Sequence, residues 1–236
     1  MKKGVIYLIP SSIAEGAGPQ NLTPQLAGIL PGIKHFIAEH AREARRFISS
    51  LKLGIKIEDL KFTELNKHSD LNEIGNMLDP ALNGKNMGLM SDAGCPGVAD
   101  PGAEVVKLAH QKNIRVIPLV GPSSILLALM ASGLSGQNFR FSGYLPIDQK
   151  SLKGKIGELE NQSRKHNETQ IFIETPYRSD KILNLLINTL QPSTLLTLAK
   201  DITGADEKII TMTVSKWKNQ TYKIGKSPCV FLFLAQ

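Results

Sequence analysis

Apolar residues in this chain fall into short β-branched or aliphatic runs, separated by longer segments in which apolar positions recur at helical spacing. VIYLI at 5–9, HFI at 35–37, MGLM at 87–90 and RVIPLV at 115–120 predict strands in the first half. FRFSGYL, IFIE, TLLTLA, IITMTV and CVFLFL, beginning near residues 139, 171, 194, 209 and 229, predict strands in the second. Helices are expected between them, near 22–30, 41–52, 70–84, 102–112, 122–132, 150–165 and 178–190. Such alternation indicates an α/β chain. The last two runs, IITMTV and CVFLFL, are joined by a polar, lysine-rich stretch without a long helix, which predicts antiparallel strands at the end of the second half. No internal repeat or low-complexity tract is visible.

Composition bounds this picture. With 236 residues, 42% hydrophobic and 21% charged, the chain has material for one or two cores. No apolar run reaches the roughly 18 residues of a membrane span, and the start, MKKGVIYLIPSS, has too short an apolar stretch for a signal peptide, so a cytoplasmic location is expected. The net charge is +7; residues 150–236 hold 13 Lys and Arg against 8 Asp and Glu, so the basicity leans to the second half. That excess suits either phosphate backbones or plain solubility. Cys95 and Cys229 stand far apart without CxxC spacing or nearby histidines, which suggests neither a disulfide framework nor a metal site.

Three loops follow predicted strands, and in open α/β sheets ligands gather where loops leave the carboxyl ends of strands. The first is PSSIAEGAG at 10–18. The second is SDAGCPGVADPG at 91–102, where Gly94, Gly97 and Gly102 permit positive φ or close approach, while Pro96 and Pro101 fix φ and remove amide donors. A rigid strand-to-helix connector and a ligand cradle both fit that composition. The third is GPSS at 121–124, in which Ser123 or Ser124 takes the N-cap place before ILLALMASG, either as an ordinary cap or as part of an anion site. Common templates find no match: GAG at 16–18 lacks the third glycine of GxGxxG, and GxxxxGK[ST], GxSxG and HExxH are absent. The five histidines, His35, His40, His68, His110 and His166, show no ligand-like clustering.

Taken together and in order, SDAGCPGVADPG, RVIPLVGPSSILLALMASGL and FSGYLP resemble the tetrapyrrole methylase superfamily of S-adenosylmethionine-dependent methyltransferases. Within it they are most similar to the branch that methylates a cytidine ribose 2′-hydroxyl of small-subunit ribosomal RNA. GVIYLIP opens the chain as in that branch, EHAR at 39–42 stands at its Glu-Asp-Thr-Arg motif, and IFIETPYR at 171–178 stands at its strand ending in Glu-Ser-Pro-His-Arg-like residues. Departures fall on the acceptor side: PSSIAEGAGPQNL replaces Pro-Ile-Gly-Asn-Leu-Glu-Asp, His40 and Ala41 replace Asp and Thr, and Cys95 replaces Thr. The sequence stops at Gln236, where many rRNA-modifying members carry a further region.

The resemblance implies two α/β domains, 1–118 and 119–236, with S-adenosylmethionine in a cleft between them. It places Asp92 near the ribose or amino group, with Ser91 beside it, Gly94 and Val98 along the backbone cradle, Ser123 and Ser124 at the methionine portion, Pro10 at the open mouth and Ala199 at the adenine. A ribose acceptor needs a base, for which Glu39 and His40 are candidates, with Arg42 or Lys200 steadying a phosphate. Alternatively Glu39, Arg42, Glu43 and Arg46 form only i,i+3 and i,i+4 pairs on a helix surface. Ribosomal RNA or the small subunit is the expected partner and a homodimer the expected assembly. Carbon methylation of a corrin or porphyrin, and cofactor binding without catalysis, are the other functions open to this superfamily.

Overall fold

The computed structural model describes residues 2–14, 16–17, 23–65 and 70–236. Residues 15 and 18–22, which include parts of the expected first loop and first helix, lie outside the described residues. The chain divides into two compact units, Met1–Ser123 and Ser124–Gln236. Both are mixtures of strands and helices, the α/β class that the hydrophobic pattern predicts.

In the first unit, β1 (Val5–Ile9), β2 (His35–Ala38), β3 (Lys61–Glu64), β4 (Met87–Met90) and β5 (Arg115–Pro118) form one sheet in the order β3-β2-β4-β1-β5. Every pairing is parallel. Its helices are α1 (Pro24–Ile29), α2 (Ala41–Ser50), α3 (Leu71–Met77), α4 (Asp79–Leu82) and α5 (Gly102–Gln111). Alternation along β1 divides the core: Ile6 and Leu8 join Leu89, Ile74 and Val105 on one face, and Tyr7 and Ile9 join Phe36, Leu26 and Ile48 on the other. A sheet apolar on both faces must be covered on both, and helices flank it accordingly.

The edge strand β3 was not expected. Its sequence, KFTE, leaves three of four positions exposed, so it carries no apolar run, and pairing with β2 is what orders it. The helix expected over 70–84 is two: Pro80, in the first turn of α4, has no amide to continue the preceding helix, and the chain breaks at Leu78.

The second unit contains β6 (Phe139–Tyr144), β7 (Thr169–Glu174), β8 (Leu195–Lys200), β9 (Lys208–Thr213) and β10 (Cys229–Leu234), in the order β6-β7-β10-β8-β9. Four helices accompany them: α6 (Ser124–Ser132), α7 (Gln149–His166), α8 (Ser179–Thr189) and α9 (Val214–Trp217). Only β6 and β7 pair in parallel. The two closing runs are each antiparallel to β8, but they lie on opposite sides of it and are not partners of one another. Burial explains the insertion. In CVFLFL, Phe231 and Phe233 face one core cluster while Val230 and Leu232 face the other, so β10 needs a central place; β9, half-exposed along its length, suits the edge.

Candidate functional site

Because every strand of the first sheet runs the same way, its carboxyl ends lie along one edge, and register decides which loops become neighbours. Ala38 of β2 pairs with Met90 of β4, and Ile9 of β1 also pairs with Met90. Residues 39–40, 91–94 and 10–11 therefore leave the sheet side by side. From β2 the chain moves outward to β3, whereas from the adjacent β4 it moves past β1 to β5. Connections that diverge from adjacent parallel strands open a crevice, the usual ligand position in such sheets.

Glu39, His40 and Asp92 meet at that divergence. His40 Nδ1 lies 2.7 Å from Asp92 Oδ2, and the Asp92 amide donates to Glu39 Oε1 at 3.3 Å. Burial raises the Glu39 carboxyl above the usual carboxylate range, outweighing the Asp92 amide that favours its charged form. The hydrogen bond to Asp92, and then its charge, raise His40 above its ordinary value. His40 sits at the N-cap of α2 without capping it, since its ring is committed to Asp92; Glu64, at the end of β3, instead accepts the Ala41 amide at 3.0 Å.

The loop after β4 is held by its own carboxylate. Asp100 accepts the Gly97 amide at 2.9 and 3.0 Å and the Gly102 amide at 2.6 Å, while burial raises its pKa against those donors. This clamp keeps Gly97 at φ 83° and holds Ala99, a residue with a Cβ, at φ 63°, while Gly94 lies ahead of it at φ 73°. Loops from neighbouring strands brace it. The Ser11 amide donates to Gly94 O at 2.9 Å and its hydroxyl to Ser91 O at 3.0 Å; the Ser91 hydroxyl in turn donates to Ala93 O. The Cys95 thiol, raised in pKa by burial, donates to Pro122 O at 3.3 Å. A Cβ on Gly121 would come within 2.2 Å of Pro10 Cβ and Cγ, so the loops after β1 and β5 touch only because residue 121 is glycine.

Of the residues singled out in sequence, Pro10, Glu39, His40, Ser91, Asp92 and Gly94 are brought together at this edge. Val98 is on the same loop and half-exposed. Ser123 ends the loop after β5. Arg42 is exposed on α2 and pairs with no carboxylate among the described residues, and the expected helical pairing reduces to Arg46 with Glu43 at 3.3 Å. In the second unit, Ser124 opens α6, and Lys200 closes β8 between Cys229 and Lys208. Ala199 is fully buried in the sheet between Val230 and Ile209, with its side chain in the core. Sequence reading missed Asp100, Glu64 and Ser11. Asp100 carries a local signal, an aspartate two residues before a helix-opening glycine, whereas Glu64 and Ser11 act through strand neighbours that only the topology reveals.

The edge brings the carboxylates of Asp92 and Glu39 next to the small residues Ala93 and Gly94. The Asp92 and His40 side chains remain 42% and 68% exposed, so neither is used up by the core.

Comparison with known proteins places the whole chain beside characterised families. A family model described as Tetrapyrrole (Corrin/Porphyrin) Methylases matches residues 16–217. Ribosomal RNA small subunit methyltransferase I of Vibrio cholerae is 28% identical over 212 residues, 90% of this chain and 69% of that protein. The protein of the same name from Bacillus subtilis is 30% identical over 220 residues, covering 92% and 71%. The crystal structure of the methyltransferase CobJ aligns with 99% of this chain and 94% of its own at a TM-score of 0.63 and 18% identity, a likeness of fold.

Proposed function

Since the chain belongs to the tetrapyrrole (corrin/porphyrin) methylase family, as its motifs implied, we propose that it uses S-adenosylmethionine to methylate a ribose 2′-hydroxyl of small-subunit ribosomal RNA. The chain is a methyltransferase; the relatives named for small-subunit rRNA support the substrate, and the meeting of Glu39, His40 and Asp92 at the strand ends is the observation that carries the chemistry.

When bound, S-adenosylmethionine supplies a methyl group made reactive by its sulfonium. The protein's part is to hold the acceptor oxygen in line, exclude water and remove a proton. Glu39 suits the last task, because a carboxylate raised in pKa by burial is a stronger base than an exposed one. Asp92 fixes the His40 ring and, through its amide, orients Glu39. The clamped loop at 91–102 and Ser123 contribute backbone and hydroxyl groups to the cofactor, while the roles of Ser124, Ala199 and Lys200 rest on the resemblance alone. Arg42, exposed and unpaired with any carboxylate among the described residues, is suited to a phosphate.

A homodimer and a cytoplasmic location complete this reading. The first is supported by the exposed apolar side chains Leu126 and Met130 on α6, the second by the rRNA substrate in the relatives' names. Calorimetry with S-adenosylmethionine, followed by methyl transfer assays on small-subunit rRNA and on a corrin or porphyrin macrocycle, tests the proposal. Transfer to rRNA alone supports it. Transfer to the macrocycle alone, or binding without transfer to either, refutes it.

A further inference from the structure

Two hollows in the first unit adjoin along α2. One, of about 620 Å³, lies between the loop after β1 and α2, and its walls include Ser12, Arg46, Phe47, Ser50 and Asp92. The other, of about 500 Å³, is lined by Arg45, Arg46, Ser49, Ser50 and Ile57. Arg46 and Ser50 belong to both, so the two form a continuous track that begins at the strand-end crevice and runs outward along the helix. Each volume lies within the roughly 300–1,000 Å³ of ligand sites.

The chemistry of the track is uneven in a way that suits one occupant. Of the three arginines on α2, Arg45 and Arg46 line the track; its inner hollow also holds the carboxylates of Glu43 and Asp92, while its outer hollow is lined by the two arginines and no carboxylate. Glu43 holds Arg46 only by an exposed i,i+3 pair at 3.3 Å, which a phosphate readily displaces. The Arg45 guanidinium rests 4.7 Å from the Phe62 ring centroid, and Phe62 is itself stacked on Phe36 at 5.1 Å, so this cation is already oriented. Phe47, half-buried in the wall of the first hollow, presents apolar surface to a base. Arginine forks spaced along a helix, next to an aromatic-walled hollow, match a single-stranded nucleic acid with its bases splayed from the backbone.

We propose that a single-stranded segment of RNA lies along α2, its acceptor nucleotide in the hollow beside Asp92 and its flanking phosphates on Arg46 and Arg45. This rests on the rRNA methyltransferase reading and adds to it the surface that delivers the substrate. It also moves the RNA contact to the first unit, although the overall basicity leans to the second. A basic hollow exists there too, at Lys150 and Lys153 on α7, but it has no aromatic lining.

The test uses the full-length protein with naked small-subunit rRNA and with intact small subunits. Arg45→Ala/Arg46→Ala is expected to weaken binding to naked rRNA at least tenfold. It should also lower the slope of log affinity against log salt by about 1.4, the value for two single-strand phosphates. S-adenosylmethionine affinity should not change and the melting temperature should fall only slightly, since both side chains are exposed and make only surface contacts. Arg45→Lys/Arg46→Lys should keep most of the salt slope, and Lys150→Ala/Lys153→Ala should cost less than threefold. Wild-type rRNA binding and methylation in the arginine-to-alanine variant, or equal losses in the two alanine variants, overturn the proposal and leave the rRNA reading intact. Loss confined to intact subunits also overturns it and assigns the face to a ribosomal protein. If the wild-type protein neither binds nor methylates rRNA, both readings fall together.

Discussion

Glu39 and Glu160 are the same residue in two differently built units, and the sheets decide what each does. Glu160, in the second unit, is 5% exposed and accepts the Gln191 amide at 2.8 Å and the Thr194 hydroxyl at 2.5 Å, so its carboxylate is committed to holding a loop. Glu39 accepts one amide at 3.3 Å at an open edge. Several other polar groups of the second unit are committed in the same way: the Trp217 indole donates to Leu196 O, the Cys229 thiol meets Ser179, and Arg178 lies 3.4 Å from Glu174 while donating to Pro146 O, although Gln170 Oε1, Thr189 Oγ1 and Thr203 Oγ1 are buried there without a hydrogen-bond partner. That Arg178–Glu174 contact is an ion pair without hydrogen-bond alignment, and Glu174 Oε2 is buried without a hydrogen-bond partner. A mixed sheet sends its strand ends both ways and disperses its loops, whereas a parallel sheet gathers them along one edge, which is where Glu39, His40 and Asp92 meet.

Substitutions can break this contrast. The largest effect is expected from Glu39→Gln, which should lower the methyl transfer rate by about 10²- to 10⁴-fold, the range for a lost general base, with little change in melting temperature. Glu160→Gln should do the reverse, lowering the melting temperature and leaving kcat/KM unchanged below it. Next comes Asp92→Ala. Loss of a hydrogen bond to a charged group costs about 1.5–3 kcal/mol, so calorimetry should record S-adenosylmethionine affinity falling roughly 10- to 150-fold. Gly121→Ala should destabilise the protein by about 1–3 kcal/mol in urea unfolding, as its methyl group collides with Pro10.

The smallest effect concerns pH. Attraction to Asp92 raises His40, so the folded state holds the proton more tightly than the unfolded chain does. The stabilisation is therefore complete below the ordinary histidine value of 6.5 and is lost as pH rises through the raised value. Both partners are largely exposed, and the contribution should stay below about 1 kcal/mol. The melting temperature of wild type should fall slightly more than that of His40→Gln between pH 6 and pH 9.

How much of this was legible in the sequence follows from the same physics. Nine strands declared themselves through apolar runs; β3 did not, because an exposed edge strand needs no such run. The order of strands was hidden as well, since the period of a run says which faces are buried but not which strand lies beside it. For that reason the motifs identified Asp92, Glu39 and His40 singly, while their meeting required Ala38 and Met90 to be in register. Ala199 rests on the resemblance alone, and its burial between strands on both sides was not legible in its own sequence neighbourhood.

Methyl transfer to ribose at the first unit's strand ends is open to direct measurement. Mass spectrometry at nucleotide resolution, on small-subunit rRNA incubated with S-adenosylmethionine and either wild-type or Glu39→Gln protein, measures this directly. The expected result is a ribose 2′-O-methyl group at a defined position with wild type and at least a hundredfold slower appearance with the variant. Equal rates for the two proteins, or a methyl group found only on a base, would contradict it.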